Sequence, residues 1–346
     1  MIEMSNLKAA WHIERIDALR QGREIVPTHV QLIISDLCNQ NCRFCAYRMD
    51  GGFSTELFAQ NGEKNPNRRI PTEKALEILD DCAAQGVEAI EFTGGGEPTV
   101  HPDWEAIIGH AQALGLDTGL VTNGVRLKPS PVLPKLKWLR ISLDAGMRST
   151  YEDVRQSMAW PQAMKALELA ASLSGPLVGV GFVITRDNYQ EIAQAAALAK
   201  CQGISYIRLS AMFSKQGAAY YDGIVDEIAK GREEAKRLET AAFKVVDFFP
   251  QRIHDLEQRA PDYSFCGFQQ FTTYIGGDLK VYTCCTNAYT KRGIVGDLAN
   301  MRFSQWVATK RQLGFDARGC HDCQFHSQNM VLNYMLDPAP PHVGFV

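Results

Sequence analysis

Apolar residues along the chain fall into short runs of two kinds. VQLIISD (Val30 to Asp36) is rich in β-branched residues and feeds straight into a polar, cysteine-bearing loop. Further strand-like runs stand near Ala89–Thr93, Thr118–Thr122, Trp138–Leu143, Val178–Ile184 and Tyr206–Ser210. Between them, apolar positions recur at helical spacing over Thr72–Gln85, Trp104–Leu114, Met147–Arg155, Pro161–Ser172 and Tyr189–Lys200, the first opened by a Pro-Thr-Glu entry signal. Six strand–helix units in sequence imply a parallel sheet. Right-handed crossovers curl such units toward a barrel, and loops at the carboxyl ends of its strands carry the chemistry. The expected fold is therefore α/β, a partial (βα)6 TIM-like barrel with a small C-terminal α+β unit.

The pattern divides the chain into a helical extension over 1–29, the barrel over 30–219, a charged helical linker over 220–261, a cysteine-rich unit over 262–330 and a tail over 331–346. Within the barrel, residues 49–69 are polar, glycine-containing and too long for an ordinary connection, and they read as a lid or substrate loop against a passive insertion. The basic residues at its borders, Arg48, Arg68 and Arg69, read as a solvated patch that an anion can also meet.

Composition narrows the function classes. A chain of 346 residues exceeds the roughly 250–300 at which single cores stop growing, in keeping with more than one unit. A net charge of -3 argues against nucleic acid as a partner. No apolar run approaches the ~18–20 residues that cross a bilayer, and the first residues lack a secretion-type core, so a cytoplasmic protein without a membrane partner is expected. Ten cysteines in such a chain are thiolate ligands sooner than disulfides.

Cys38, Cys42 and Cys45 form a C-x3-C-x2-C set on the loop after the first strand. Three thiolates so close can grip three corners of a [4Fe-4S] cubane whose usual complement is four, leaving one iron open. An open iron can take the amino and carboxylate groups of S-adenosylmethionine (SAM). Zinc is the competing reading, but zinc sites usually pair C-x2–4-C elements with a fourth ligand. Cys82 and Cys201 lie on predicted helices and read as buried structural thiols.

On these residues the chain resembles the radical SAM superfamily. The resemblance implies that Phe44, the aromatic residue before the third cysteine, packs near the adenine. It implies that Gly95, Gly96 and Glu97 in FTGGGEPT receive the cofactor's amino group, with the backbone sterically open there. Thr122 and Asn123 in LVTNG then line the ribose or substrate side. Ser142 and Asp144 in RISLDAG stand where related enzymes place polar groups for the cofactor, and Arg155 resembles the arginine that pairs with its carboxylate, against an ordinary surface role.

The C-terminal unit holds Cys266, Cys284, Cys285, Cys320 and Cys323, four of which suffice for a second, fully ligated [4Fe-4S] cluster. Cys266, Cys284, Cys320 and Cys323 are the expected ligands, with GGDLKVYTC forming a hairpin and GIVGDL leading to a short helix. Structural zinc is the alternative. The arrangement resembles the twitch domain, a shortened relative of the SPASM domain. Whether Cys284 or Cys285 is the ligand stays open, and the spare thiol is either packed or a hydrogen-atom donor.

The resemblance implies an enzyme that reductively cleaves SAM to a 5′-deoxyadenosyl radical and abstracts hydrogen from a substrate carbon. An external donor such as flavodoxin or ferredoxin supplies the electron, and a second cluster favours an oxidative outcome. The 29 residues before Val30 are too few for a leader-binding domain, which points toward a small polar metabolite: a sugar, cyclitol or nucleoside. Cross-linking or epimerisation of a peptide is the second reading. A non-catalytic iron–sulfur carrier or metal-stabilised binding protein is the third, and it has no use for an open iron.

Overall fold

The computed structural model describes residues 8–48, 58, 69–213, 215–310, 315–321 and 323–337. Apart from Phe58 and Arg69, the expected lid at 49–69 lies outside the described residues, as does the tail from 338.

A short helix α1 (Ile13–Arg20) precedes β1 (His29–Leu32). Then come α2 (Thr72–Gln85), β2 (Ala89–Phe92), α3 (Trp104–Ala113), β3 (Asp117–Thr122), β4 (Trp138–Ser142), α4 (Arg148–Arg155) and α5 (Trp160–Ala171). The core continues with β5 (Leu177–Ile184), α6 (Ile192–Cys201), β6 (Tyr206–Ala211), α7 (Val225–Lys236), β7 (Lys244–Asp247) and α8 (Phe249–Gln258). The C-terminal part holds α9 (Phe268–Phe271), β8 (Thr272–Ile275), β9 (Lys280–Tyr282), β10 (Ile294–Asp297), α10 (Phe303–Thr309) and α11 (His326–Leu336).

Helix α2 illustrates why these elements form. Ala75, Ile78, Leu79 and Cys82 repeat at helical spacing and are fully buried against the sheet, while Gly86, at a φ of 87°, ends the helix in the left-handed region glycine favours. Between β3 and β4 there is no α-helix. Pro129, Pro131 and Pro134 interrupt that segment, and only a 3-10 turn at Leu133–Lys135 forms.

All ten strands join one sheet in the order β10-β9-β8-β1-β2-β3-β4-β5-β6-β7. Strands β1 to β7 run parallel, and β8 also pairs in parallel with β1, His29 opposite Thr272. The hairpin expected from GGDLKVYTC is β8 and β9, antiparallel, with β10 added at its edge. The six expected units are thus extended by β7 at one edge, and the C-terminal part continues the sheet at the other. The added strands are three or four residues long, too short for periodicity to announce.

Two expectations are corrected. The charged helix expected from residue 220 is a 3-10 turn at Gly217–Tyr221 followed by α7, and the linker segment also supplies β7. Cys201 is exposed, because α6 turns Ile192, Ala195, Ala196 and Ala199 inward and its last residue outward. Cys82 is buried as expected. Among the described residues no helix is long and apolar enough to cross a membrane.

Asp81 on α2 ties the C-terminal part to the barrel. Its carboxylate accepts from Arg302 Nη2 at 2.8 Å and from the Ser304 amide and hydroxyl at 2.9 Å each, capping α10 from another helix. Burial alone raises a carboxyl's pKa, but Arg302 and Ser304 outweigh it and hold Asp81 below its usual value. A depressed folded-state pKa stabilises above the unfolded value of about 3.9 and is lost as pH falls through the folded one. Asp81→Asn is therefore expected to cost about 1–2 kcal/mol in urea unfolding at pH 7, through the cap bonds more than the half-exposed ion pair. The gap between variant and wild type should shrink toward pH 3.

Candidate active site

Leaving β1, the chain buries Ser35 and Asp36 completely and then presents Cys38, Cys42 and Cys45, each half-buried. The loop is pinned from several sides. Arg48 donates to the carbonyls of Gln40 at 3.0 Å and Asp36 at 3.2 Å. The amides of Asn41 and Arg43 donate to carbonyls at the end of α4, and Gln40 donates to the Tyr151 hydroxyl at 2.7 Å. Arg48 is thus a staple of the cysteine loop instead of a solvated charge; Arg68 lies outside the described residues.

The turn after β2 closes on the same loop. A Cβ at Gly96 would collide with the Leu37 carbonyl, and one at Gly95 would press within 2.9 Å of the Asp36 carboxylate. The Glu97 amide donates to the Leu37 carbonyl at 2.8 Å. The glycine turn is therefore covered by the cysteine loop, not sterically open as expected: glycine is required for the close approach of two backbones.

Glu97 is buried and its carboxylate is already occupied. Oε1 accepts from the Thr99 amide at 3.1 Å, the Thr99 hydroxyl at 2.6 Å and the Thr122 hydroxyl at 2.5 Å; Oε2 accepts from the Asn123 amide at 2.7 Å. Burial pushes this carboxyl above its usual range against those four donors. Glu97 thereby joins the tips of β2 and β3. Asn123 in turn directs its amide nitrogen to Asn39 Oδ1 at 2.7 Å and to Cys38 Sγ at 3.9 Å.

Beyond β4, Asp144 takes a φ of 58° and is buried; it accepts from the Val183 amide at 2.6 Å and pairs with Arg155. Arg155 is only 5% exposed, so it is no surface residue. Its Nη1 donates to Gln40 at 3.3 Å and Cys42 Sγ at 3.4 Å, and its plane lies 5.6 Å from the Phe44 ring centre. Burial opposes its charge, but Asp144 and the Cys42 sulfur hold the proton more firmly than usual. Its buried Nε has no hydrogen-bond partner. Ser142, opposite Gly181 on β5, faces the same side.

In the C-terminal part, Cys266, Cys284, Cys320 and Cys323 all line one small pocket. Asn287 donates to Cys320 Sγ at 3.5 Å, and the Tyr263 hydroxyl stands 3.7 Å from Cys323 Sγ. Burial pushes Cys266 up to about 12 and Cys38 up to about 11. Cys285 is elsewhere. Its Sγ accepts from Gln324 at 2.7 Å, it packs beside the Tyr47–Tyr289 aromatic group, and Arg252 and Glu91 are its charged neighbours. Cys285 is not among the residues lining the four-thiol pocket, although its sulfur acts electrostatically on Cys284.

Both thiol sets fit iron–sulfur clusters. Their sulfurs meet N–H and O–H groups, as cluster ligands do, and the unpartnered Arg155 Nε sits beside the first set. Among the described residues no three His, Cys, Asp or Glu side chains converge closely enough for a single metal ion.

Sequence reasoning missed Asp36, Tyr47 and Tyr289. Tyr289 donates to the Asp36 carboxylate, and the Tyr47 and Tyr274 hydroxyls meet at 2.8 Å, joining the cysteine loop to the C-terminal part. A lone acid closing an apolar strand was the available signal.

Residues 32–199 match the radical SAM superfamily. Over 145 residues the chain is 32% identical to the S-adenosylmethionine-dependent nucleotide dehydratase of Flammeovirga pacifica, covering 41% of this chain and 47% of that protein. Over 192 residues it is 28% identical to the mycofactocin maturase MftC of Mycolicibacterium smegmatis, covering 54% and 45%. The chain spans about half the length of these curated relatives. In fold it is similar to Streptococcus suis SuiB bound to S-adenosylmethionine, with a TM-score of 0.62 at 15% identity over 88% of this chain and 75% of that one. Native anSMEcpe with bound AdoMet gives 0.57 at 14% identity, over 84% and 83%. The coverage runs through the C-terminal part as well as the barrel.

Removing one member of the buried Asp144–Arg155 pair strands the other charge. Arg155→Met is expected to lose about 3–5 kcal/mol in chemical denaturation, whereas the double variant Asp144→Ala/Arg155→Met should lose less than the two single changes combined.

Proposed function

We propose, from the premise that this chain belongs to the radical SAM superfamily and works with a [4Fe-4S] cluster and SAM, that it oxidises a small polar metabolite such as a sugar, cyclitol or nucleoside. The observation that carries this reading is the separation of the thiols into three on one loop and four around one cavity. When bound, the first cluster and SAM supply a one-electron cleavage that yields the 5′-deoxyadenosyl radical, and a fully ligated second cluster supplies an electron acceptor.

Cys38, Cys42 and Cys45 would hold the first cluster with one iron open, and Cys266, Cys284, Cys320 and Cys323 the second. Phe44, Gly95, Gly96, Thr122, Asn123 and Ser142 would border SAM. Glu97 acts by position, since its carboxylate is spent on fixing two strand tips. Arg155 acts from its free Nε edge, with Asp144 holding the guanidinium in place. The protein's own work is orientation and exclusion of water. An external donor such as flavodoxin or ferredoxin would supply the electron.

A second reading, radical cross-linking or epimerisation of a peptide, draws on the likeness to the mycofactocin maturase. Cys285 is central to telling the two apart. Its sulfur stands away from the four-thiol cavity and beside Glu91 and Arg252, where a thiol can return a hydrogen atom to a substrate radical.

Iron and sulfide counts on anaerobically reconstituted protein test the ligand division. About eight irons are expected in the wild type and in Cys285→Ala, and about four in Cys284→Ala. Eight irons in Cys284→Ala would overturn the second ligand set. Turnover in D2O separates the readings: oxidation leaves the reacting carbon free of solvent deuterium, and epimerisation through Cys285 installs it.

A further inference from the structure

The segment LVGVGFVI puts Gly179 and Gly181 at successive inner positions of β5, because Val178, Val180, Phe182 and Ile184 all join the helix-facing core. Glycine in a strand interior packs nothing and costs backbone entropy, and it marks a place where something approaches closely. At Gly179 the neighbour is the Tyr206 ring, with which any Cβ would collide. At Gly181 a Cβ would only touch the Arg140 stem, at 3.6 Å. The register sets Arg140 opposite Gly179 and Gly181 opposite Arg208. The Tyr206 ring therefore covers Gly179, and the space over Gly181 lies between Arg140 of β4 and Arg208 of β6.

These walls are charged, with Glu91 of β2 as the nearest opposing charge. The Arg140 guanidinium lies 5.4 Å from the Trp138 ring centre and that of Arg208 5.0 Å from Phe248, and among the described residues neither has a carboxylate in ion-pair contact. Tyr206 is fully buried, and its hydroxyl stands beside the Arg140 guanidinium. Glu91 accepts from Gln31 at 3.2 Å and attracts the Arg208 guanidinium, while Arg252 pairs with Asp255 at 3.4 Å. Burial, with repulsion from Arg140 and Arg252, pulls Arg208 down to about 9. An unpaired buried charge is expensive, and an incoming anion offsets the cost.

We propose that this space is an oxyanion subsite, so that the substrate is a small molecule carrying a phosphate or carboxylate group held by Arg140, Arg208 and the Tyr206 hydroxyl. Arg140 precedes Ser142 on β4 by one inner position, so the anion anchors below the cofactor level and the reacting carbon extends toward the cysteine loop. The inference deepens the proposed function and rests on it only in taking the inner face of the sheet as the substrate chamber.

Calorimetric titration of the anaerobically reconstituted holoprotein with inorganic phosphate, pyrophosphate and succinate, without reductant, tests it. Saturable binding is expected for the phosphate arms or for the succinate arm, which identifies the oxyanion. That binding should weaken about 10–100-fold in Arg208→Met and in Arg140→Met. Arg208→Met should melt no lower than the wild type, since it removes a half-buried charge that has no direct ion pair. No binding to the wild type, equal binding by both variants, or a clear loss of thermal stability in Arg208→Met would each overturn the proposal. Because no reductant is present, this failure is distinct from failure of SAM cleavage.

Discussion

The cysteine loop lies main chain to main chain on the turn after β2, and the rest of the site is arranged around that contact. The Leu37 carbonyl fills the space a side chain at residue 96 would need and accepts the Glu97 amide at 2.8 Å. With that amide fixed, the Glu97 carboxylate reaches the Thr122 hydroxyl and the Asn123 amide, and Asn123 reaches back to Asn39 and Cys38. A loop that carries three thiols thus inherits the rigidity of a parallel sheet. Preorganised ligands on rigid elements are what a reactive metal centre demands of its scaffold.

The same logic extends to the C-terminal part. Strand β8 pairs with β1 immediately before the cysteine loop, and Tyr289 and Tyr274 meet Asp36 and Tyr47 on either side of the three cysteines. Asp81 supplies a further tie from the outer helix layer. The four-thiol cavity is therefore anchored to the sheet that carries the other three thiols. The two sets of thiols are thus held in a fixed relation by one sheet.

Local signals made most of the barrel legible. Strands β2 to β6 and helix α2 follow from periodicity. What the sequence hid is non-local. Strand β8 pairs with a partner some 240 residues earlier, and nothing in TTYI says so. The glycine turn looked open because the loop that covers it lies far back in the chain. Arg48 looked solvated because its acceptors are main-chain carbonyls, which have no sequence signature. Cys284 and Cys285 are neighbours in sequence, yet Cys284 lines the four-thiol pocket while Cys285 accepts from Gln324.

The most direct test of the account is reductive cleavage of SAM by cluster-loaded protein under dithionite, followed as 5′-deoxyadenosine, in the wild type and in the Cys38→Ala/Cys42→Ala/Cys45→Ala variant. The account predicts nucleoside from the wild type and none from the triple variant, while the variant keeps the about four irons of the second set. No nucleoside from fully reduced, iron-replete wild type, or undiminished formation by the triple variant, would contradict it.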